Sequence, residues 1–184
     1  MTADRRQMTK FVTHVALYCR DLDKSAAWYR RVFEMKVLAE APGRFAALSF
    51  GERHHDFALV QAPPEFRDPA PPRIGLYHIA VDTGSFAESL AIFKRARAEN
   101  AEFVKAIDHR VGNGIYIRDP DGNILELWSE IYATMAEAIA SIAKMDPPFQ
   151  ENPIGFPLDI EETVRTGKPV HLVGAKPPSP ITHS

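Results

Sequence analysis

Four short apolar runs of the chain each carry one side chain that could bind a metal or transfer a proton. They contain His14, His78, Tyr116 and Glu126. Because successive side chains of a β-strand point to opposite faces, each of these groups lies opposite a face of branched or bulky apolar residues. An ionised Glu126 among apolar neighbours costs several kcal/mol, roughly, unless a partner compensates its charge. The first question is therefore what that partner is.

A divalent metal could compensate the charge of Glu126. Two neutral imidazoles and one carboxylate on a single concave surface leave three open positions on an octahedral ion, an arrangement associated with non-haem Fe(II) oxygenases. The residues alone are also compatible with roles that involve no metal. A single histidine in a strand is more often a hydrogen-bonded core or surface residue, and two histidines at equivalent positions can reflect duplication alone. Glu126 can also simply face solvent beside an exposed Trp128.

An internal repeat indicates the elements that position these groups. The run His14-Val15-Ala16-Leu17 is echoed 64 residues later by His78-Ile79-Ala80-Val81. Each echo begins as a strand and continues into a helix-period segment, "DLDKSAAWYRRVFE" and "GSFAESLAIFKRARAEN". Each helix is followed by three strand-like runs, at 36–41, 45–50 and 55–61 and again at 102–107, 113–118 and 123–129. The plan of both copies is βαβββ.

We therefore predict an α+β fold in which two βαβββ modules, about 10–61 and 75–129, form one curved mixed sheet around a metal site. The modules and a helix in "SEIYATMAEAIASIAKM" make up a single domain over 1–145, with the proline-rich "QAPPEFRDPAPPR" as the linker between modules. A proline-rich tail follows over 146–184, with a short helix at 159–165 capped by Asp159. We expect this tail to wrap the surface or to fray at its end.

Composition restricts the class of protein. The formal net charge of −2 argues against a nucleic-acid or anionic-membrane surface. A single cysteine, Cys19, excludes an intrachain disulfide and a multi-cysteine zinc site. The N-terminus lacks the apolar core of a signal peptide, and no apolar run is long enough to suggest a membrane span. We expect a soluble cytoplasmic protein.

The βαβββ duplication with His14, His78 and Glu126 resembles the vicinal-oxygen-chelate superfamily. That superfamily includes glyoxalase I, fosfomycin-resistance proteins, bleomycin-binding proteins and type I extradiol dioxygenases. The segment 107–126, "IDHRVGNGIYIRDPDGNILE", fits the extradiol signature in full. The run "HHDFALV" at 54–60 resembles the strand that carries the acid–base histidine of those enzymes. The turn "DPDG" followed by glutamate is common across the superfamily, whereas His109 with Tyr116 is more discriminating. The likeness covers about residues 10 to 130.

The resemblance implies two sets of site residues. The metal ligands would be His14, His78 and Glu126, holding Fe(II), with Mn(II) as the alternative ion. The catalytic residues would be His55 as the acid–base group, with His109 and Tyr116 hydrogen-bonding substrate or oxygen. Strand alternation would turn His54 away from the metal.

The implied activity is O2-dependent extradiol cleavage of a catechol or aryl-catechol, giving a muconic semialdehyde-type product in aromatic hydrocarbon catabolism. With only one pair of modules the chain resembles the small, one-domain type, and we expect a homo-oligomer. The partners would be a small aromatic diol and O2. Two alternatives stay open: a metal-dependent lyase, isomerase or thiol transferase of the glyoxalase or fosfomycin-resistance kind, and a non-catalytic drug-binding module.

Overall fold

The structure, a computed structural model, describes residues 12–67 and 74–174. The chain divides into two compact units, Met1–Phe66 and Arg67–Ser184, called here the N-terminal and C-terminal units. The boundary lies in the proline-rich segment that the sequence marks as a linker. The grouping of 1–145 into one domain stays a prediction.

The N-terminal unit has the predicted βαβββ order. Its elements are β1 (Val15–Cys19), α1 (Leu22–Phe33), β2 (Lys36–Ala41), β3 (Phe45–Ser49) and β4 (Phe57–Gln61). The strands form one sheet in the order β1-β4-β3-β2. β1 runs parallel to β4, and the other neighbours are antiparallel.

Helix α1 begins and ends where its sequence predicts. The Asp21 side chain accepts a hydrogen bond from the backbone N–H of Lys24 at 3.0 Å, which satisfies one free donor of the first turn. The helix buries Trp28, Tyr29 and Val32, whose spacing defines one face. Burying each such side chain contributes about 1.5–3 kcal/mol, which secures the helix on the sheet.

The C-terminal unit repeats the βαβββ order and adds three elements. It contains β5 (Ile79–Asp82), α2 (Phe86–Ala98), β6 (Phe103–Asp108), β7 (Gly112–Arg118), β8 (Ile124–Glu130), α3 (Met135–Ile142), β9 (Phe156–Pro157) and α4 (Ile160–Thr166). The sheet order is β5-β8-β7-β6-β9. β5 is parallel to β8, while β9 pairs antiparallel with β6.

The α+β class is confirmed, as is the βαβββ order of both copies. One detail of the prediction is corrected: the backbone ladders form two mixed sheets, one in each unit, where the sequence predicted one curved sheet. The physical reason is that short connections pair strands within a module, and hydrophobic alternation records which face is buried without specifying sheet continuity.

The core of the C-terminal unit lies between α2 and the middle of its sheet. Ile115, Ile117, Leu125 and Leu127 are fully buried on the face toward α2. The other face of β7 is buried as well, which the predicted alternation did not anticipate. Polar groups on that second face are therefore held away from water.

The tail adds a strand and a helix to the C-terminal unit. The Asp159 side chain accepts from the Glu162 backbone N–H at 3.0 Å, so the predicted helix cap is confirmed. The predicted fraying concerns residues 175–184, which lie outside the described residues. Over 12–67 and 74–174, no helix combines the length and apolar character needed to cross a bilayer.

Candidate active site

Glu126 lies on the buried second face of the C-terminal sheet. It is 3% exposed, and it pairs across the antiparallel β7–β8 ladder with Tyr116. The turn before β8 fixes that register. Within it, Asp119 Oδ1 accepts from the backbone N–H groups of Asp121 and Asn123, and Gly122 adopts a φ of 89°. The predicted turn thus delivers the carboxylate to a defined position in the sheet.

His78 meets this carboxylate from the neighbouring strand. It directly precedes β5, which runs parallel to β8 with Ala80 opposite Glu126. The His78 Nε2 atom lies 3.0 Å from Glu126 Oε2, and the other ring nitrogen, Nδ1, is buried without a hydrogen-bond partner among the described residues. An imidazole nitrogen and a carboxylate oxygen therefore converge on one point inside the unit.

His109 and Tyr116 complete this cluster from the β6–β7 hairpin. His109 follows the last residue of β6, and its backbone N–H donates to Gly112 O at 2.8 Å across the hairpin. Its Nε2 lies 2.9 Å from Tyr116 Oη and 3.4 Å from Glu126 Oε1. One hairpin and one adjacent strand thus bring three predicted site residues together.

The cluster has room because β7 carries glycine where a side chain would collide. A Cβ on Gly114 would stand 2.2 Å from Glu126 Oε1 and 3.0 Å from the Tyr116 ring. Glu126 Oε1 is buried, and its contact with His109 Nε2 is long, at 3.4 Å. Gly114 thus keeps open the space beside a carboxylate oxygen that still has a lone pair to offer.

Hydrogen bonds keep Glu126 ionised despite its burial. Burial by itself raises the pKa of this carboxyl, but the hydrogen bonds from His109, His78 and Tyr116 outweigh it and lower the pKa to about 2. Burial, followed by the hydrogen bond to Glu126 and then the Glu126 charge, raises the pKa of the Tyr116 phenol. At neutral pH the cluster therefore holds a carboxylate beside a phenol that keeps its proton.

Sequence reasoning missed Lys105 and Tyr77 beside this cluster. The Lys105 ammonium lies 4.5 Å from the centre of the Tyr116 ring and 5.7 Å from that of Tyr77. Burial lowers the pKa of Lys105, an effect that the Glu126 charge opposes. The available signal was the β6–β7 register, which places Lys105 opposite Tyr116 on the same face.

The N-terminal unit brings His14, His54 and His55 together. The rings of His14 and His55 lie 4.4 Å apart between centroids, as do those of His54 and His55. Strand alternation was expected to turn His54 away from the metal, but its premise is wrong, because His54 and His55 both precede β4 and lie outside any strand. Which of the two faces a metal stays a prediction. Burial, followed by the charges of His54 and His14, lowers the pKa of His55.

The donor set fits a divalent cation in part within one unit. The Glu126 carboxylate, whose Oε1 makes only a long 3.4 Å contact with His109 Nε2, and the His78 imidazole are ligand types that iron and manganese accept. Over residues 12–67 and 74–174, no group of three His, Cys, Asp or Glu side chains is arranged to hold a metal. The ligand set of His14, His78 and Glu126 stays a prediction.

This chain is similar in sequence to one protein-family model and to two curated proteins. Residues 12–127 match the model of the Glyoxalase/Bleomycin resistance protein/Dioxygenase superfamily. Two similar curated proteins come from Rhodococcus globerulus. Biphenyl-2,3-diol 1,2-dioxygenase 2 is 29% identical over 163 residues, covering 87% of this chain and 84% of the relative. Biphenyl-2,3-diol 1,2-dioxygenase 3 is 31% identical over 135 residues, covering 71% and 69%.

A solved structure gives the same placement. The glyoxylase/bleomycin resistance protein/dioxygenase domain from Frankia sp. EAN1pec is 25% identical, with a TM-score of 0.59, and the match covers 67% of this chain and 99% of that one. The family model spans both βαβββ copies and ends one residue beyond Glu126. The chain therefore belongs to the Glyoxalase/Bleomycin resistance protein/Dioxygenase superfamily.

Proposed function

We propose that this protein is an Fe(II)-dependent extradiol dioxygenase that cleaves a catechol or aryl-catechol with O2. The observation that carries the proposal is the Glu126 cluster, in which a buried carboxylate meets His78 and a hydrogen-bonded His109–Tyr116 pair. The relatives named as biphenyl-2,3-diol dioxygenases support the same reaction class. The substrate is accordingly an aromatic ring with two adjacent hydroxyls.

The proposed ligand residues are His14, His78 and Glu126. When bound there, Fe(II) would bring diol and O2 together and lower the pKa of the diol hydroxyls. Glu126 suits this role because its carboxyl stays ionised within a buried face. The His109 and Tyr116 side chains then orient substrate oxygens by hydrogen bonding. Since Tyr116 keeps its proton, its hydroxyl can act as a donor.

His55 is the proposed acid–base residue. The lowering of its pKa favours the neutral imidazole at neutral pH, and a neutral imidazole can accept a proton from a substrate hydroxyl. The same ring can return that proton later in the cycle. Its contact with the His14 ring places it next to a proposed ligand within the N-terminal unit.

A substrate panel tests the reaction class. Protein loaded with Fe(II) without oxygen is mixed with catechol, methylcatechols and 2,3-dihydroxybiphenyl, and then exposed to O2. The proposal predicts oxygen uptake matched by a yellow ring-opened product for at least one diol. Iron-loaded protein that consumes no oxygen with any diol would contradict it. Dihydroxybenzenes with non-adjacent hydroxyls serve as the matched control substrates.

Two single variants test the acid–base role. His55→Ala is expected to retain iron and to slow turnover by about two to four orders of magnitude, the usual scale for a lost acid–base group. His54→Ala is the matched control, since it removes the adjacent imidazole. Equal losses in the two variants, or loss of iron from His55→Ala, would assign the role elsewhere.

A further inference from the structure

The C-terminal segment 146–172 forms hydrogen bonds with the β6–β7 hairpin, which carries His109. Both sequence neighbours of His109 make these bonds. The Arg110 guanidinium donates to Pro147 O at 2.6 Å and to Asn152 O. On the other side of His109, Asp108 Oδ2 lies 2.9 Å from His171 Nε2. The two residues that flank the imidazole are thus tied to chain segments about 40 and 60 residues away, an ordering that costs loop entropy.

The backbone contacts reinforce this grip. β9 adds to the sheet edge at the end of β6, with Asp108 opposite Phe156 and the Leu158 N–H donating to Ala106 O at 2.9 Å. Gly155 packs so closely that a Cβ there would stand 2.0 Å from Asp108 O. The buried Asn152 side chain accepts from the Gly155 N–H at 2.8 Å. The segment is therefore fitted to the hairpin backbone beside His109.

The hairpin itself needs such support. Arg110 has a φ of 68°, in the left-handed region that favours glycine, and its N–H donates to Asp108 Oδ1 at 2.7 Å. His109 must hold its ring 2.9 Å from Tyr116 Oη, and a displacement of about 1 Å at a catalytic group can cost about 100-fold in rate. A residue that fixes this turn therefore sets the position of the imidazole.

We propose that Arg110 and Asp108 are positioning residues through which the segment 146–172 holds His109 in its working orientation. The inference rests on the proposed function, because His109 has a role only if the cluster is catalytic. Arg110 is suited to the task because its planar fork reaches two carbonyls at once, which a lysine ammonium on a flexible stem does not reproduce. Both side chains act through the tail and the turn, to which their hydrogen bonds run.

The test compares Arg110→Lys with Arg97→Lys. Arg97 also contacts the tail, through Glu161 in α4 at 3.1 Å, but it belongs to α2 and not to the hairpin. We expect Arg110→Lys to lower kcat about tenfold or more, with KM within about twofold and iron content unchanged, because His109 loses its alignment. Arg97→Lys should match the wild type. Equal kcat values in the two variants would overturn the proposal.

A second readout does not depend on activity. Amide hydrogen exchange in metal-free protein reports the hydrogen bond from the His109 N–H to Gly112 O. We expect exchange over residues 107–112 to accelerate in Arg110→Lys and Asp108→Ala, and to stay at the wild-type rate in Arg97→Lys. Unchanged exchange rates in both hairpin variants would overturn the proposal that Arg110 and Asp108 position His109. A wild type without ring-cleaving activity would instead contradict the proposed function, and these exchange rates tell the two failures apart.

Discussion

Tyr116 and Glu126 stand directly opposite each other on antiparallel strands, and both are almost fully buried. A phenol and a carboxylate on a buried sheet face cost free energy unless each finds partners. His109 contacts both, while His78 meets the carboxylate from the other side. Tyr116 and Glu126 therefore occupy buried positions of the sheet that apolar side chains would otherwise fill.

The space beside Glu126 depends on Gly114, which predicts the effect of adding one methyl group. In Gly114→Ala the new Cβ would meet Glu126 Oε1, so we expect the carboxylate to shift, iron affinity to fall at least about tenfold, and stability to fall by about 1–3 kcal/mol. Gly112→Ala is the matched control, because its Cβ would meet the Trp128 ring at 2.2 Å. It should lose stability while keeping iron. Iron titration and urea unfolding of both variants check this, and equal iron affinities would count against the role of Gly114.

The hydroxyl of Tyr116 predicts a separation of turnover from metal binding. Tyr116→Phe removes the group 2.9 Å from His109 Nε2 and leaves that nitrogen without this partner. We expect kcat/KM to drop about tenfold or more, with iron content unchanged and stability lower by about 1 kcal/mol. Tyr18→Phe, at an exposed position of β1, is the control. Wild-type turnover in Tyr116→Phe would remove the hydroxyl from the mechanism.

The lowered pKa of Glu126 predicts acid sensitivity in the metal-free protein. Because the folded-state pKa of about 2 lies below the ordinary value of 4.5, the carboxylate stabilises the fold above about pH 4.5. That contribution, about 3 kcal/mol at most, is lost as the pH falls toward 2. Glu126→Gln should lack this part of the pH dependence. Urea unfolding of both proteins between about pH 6 and pH 2 measures it, and parallel curves would contradict the expectation.

Lys105 predicts a smaller effect confined to stability. Its ammonium lies over the Tyr116 and Tyr77 rings. Such a cation–π contact contributes about 0.5–1 kcal/mol at an exposed site and about 2 kcal/mol when desolvated. Lys105→Met keeps the apolar stem and removes the charge, so we expect a loss of about 1 kcal/mol in the free energy of unfolding. Lys94→Met on the exposed side of α2 should change little. Similar values for the two variants would show that the ring contact contributes nothing.

The elements of the fold could be predicted from sequence because local pattern determines them. The helix at 22–33 and the cap at Asp159 follow from residue spacing and side-chain chemistry acting over a few residues. The alternation around Tyr116 also gives its face correctly. It did not show that the second face of β7 is buried, because alternation records the polarity of a face and not what later covers it.

The site itself was only partly predictable. The juxtaposition of His109 with Tyr116 follows from one hairpin, whereas the contact between Asp108 and His171 joins distant segments that no short-range pattern connects. His54 shows the opposite limit. A strand was predicted through the neighbouring His55, but the chain bends there and β4 begins only at Phe57, so the alternation rule did not apply.

Iron binding measures whether a carboxylate and two imidazoles of this chain form a metal site. Protein prepared without oxygen is titrated with Fe(II), and the coordination is read by X-ray absorption for the wild type, Glu126→Gln and Glu130→Gln. Glu130 is the matched control, since it lies exposed at the end of the same strand. We predict about one iron per wild-type and Glu130→Gln chain with only nitrogen and oxygen donors, and affinity at least about 100-fold lower in Glu126→Gln. A wild type that binds no iron, or a Glu126→Gln variant that binds it as tightly, would show that Glu126 holds no iron.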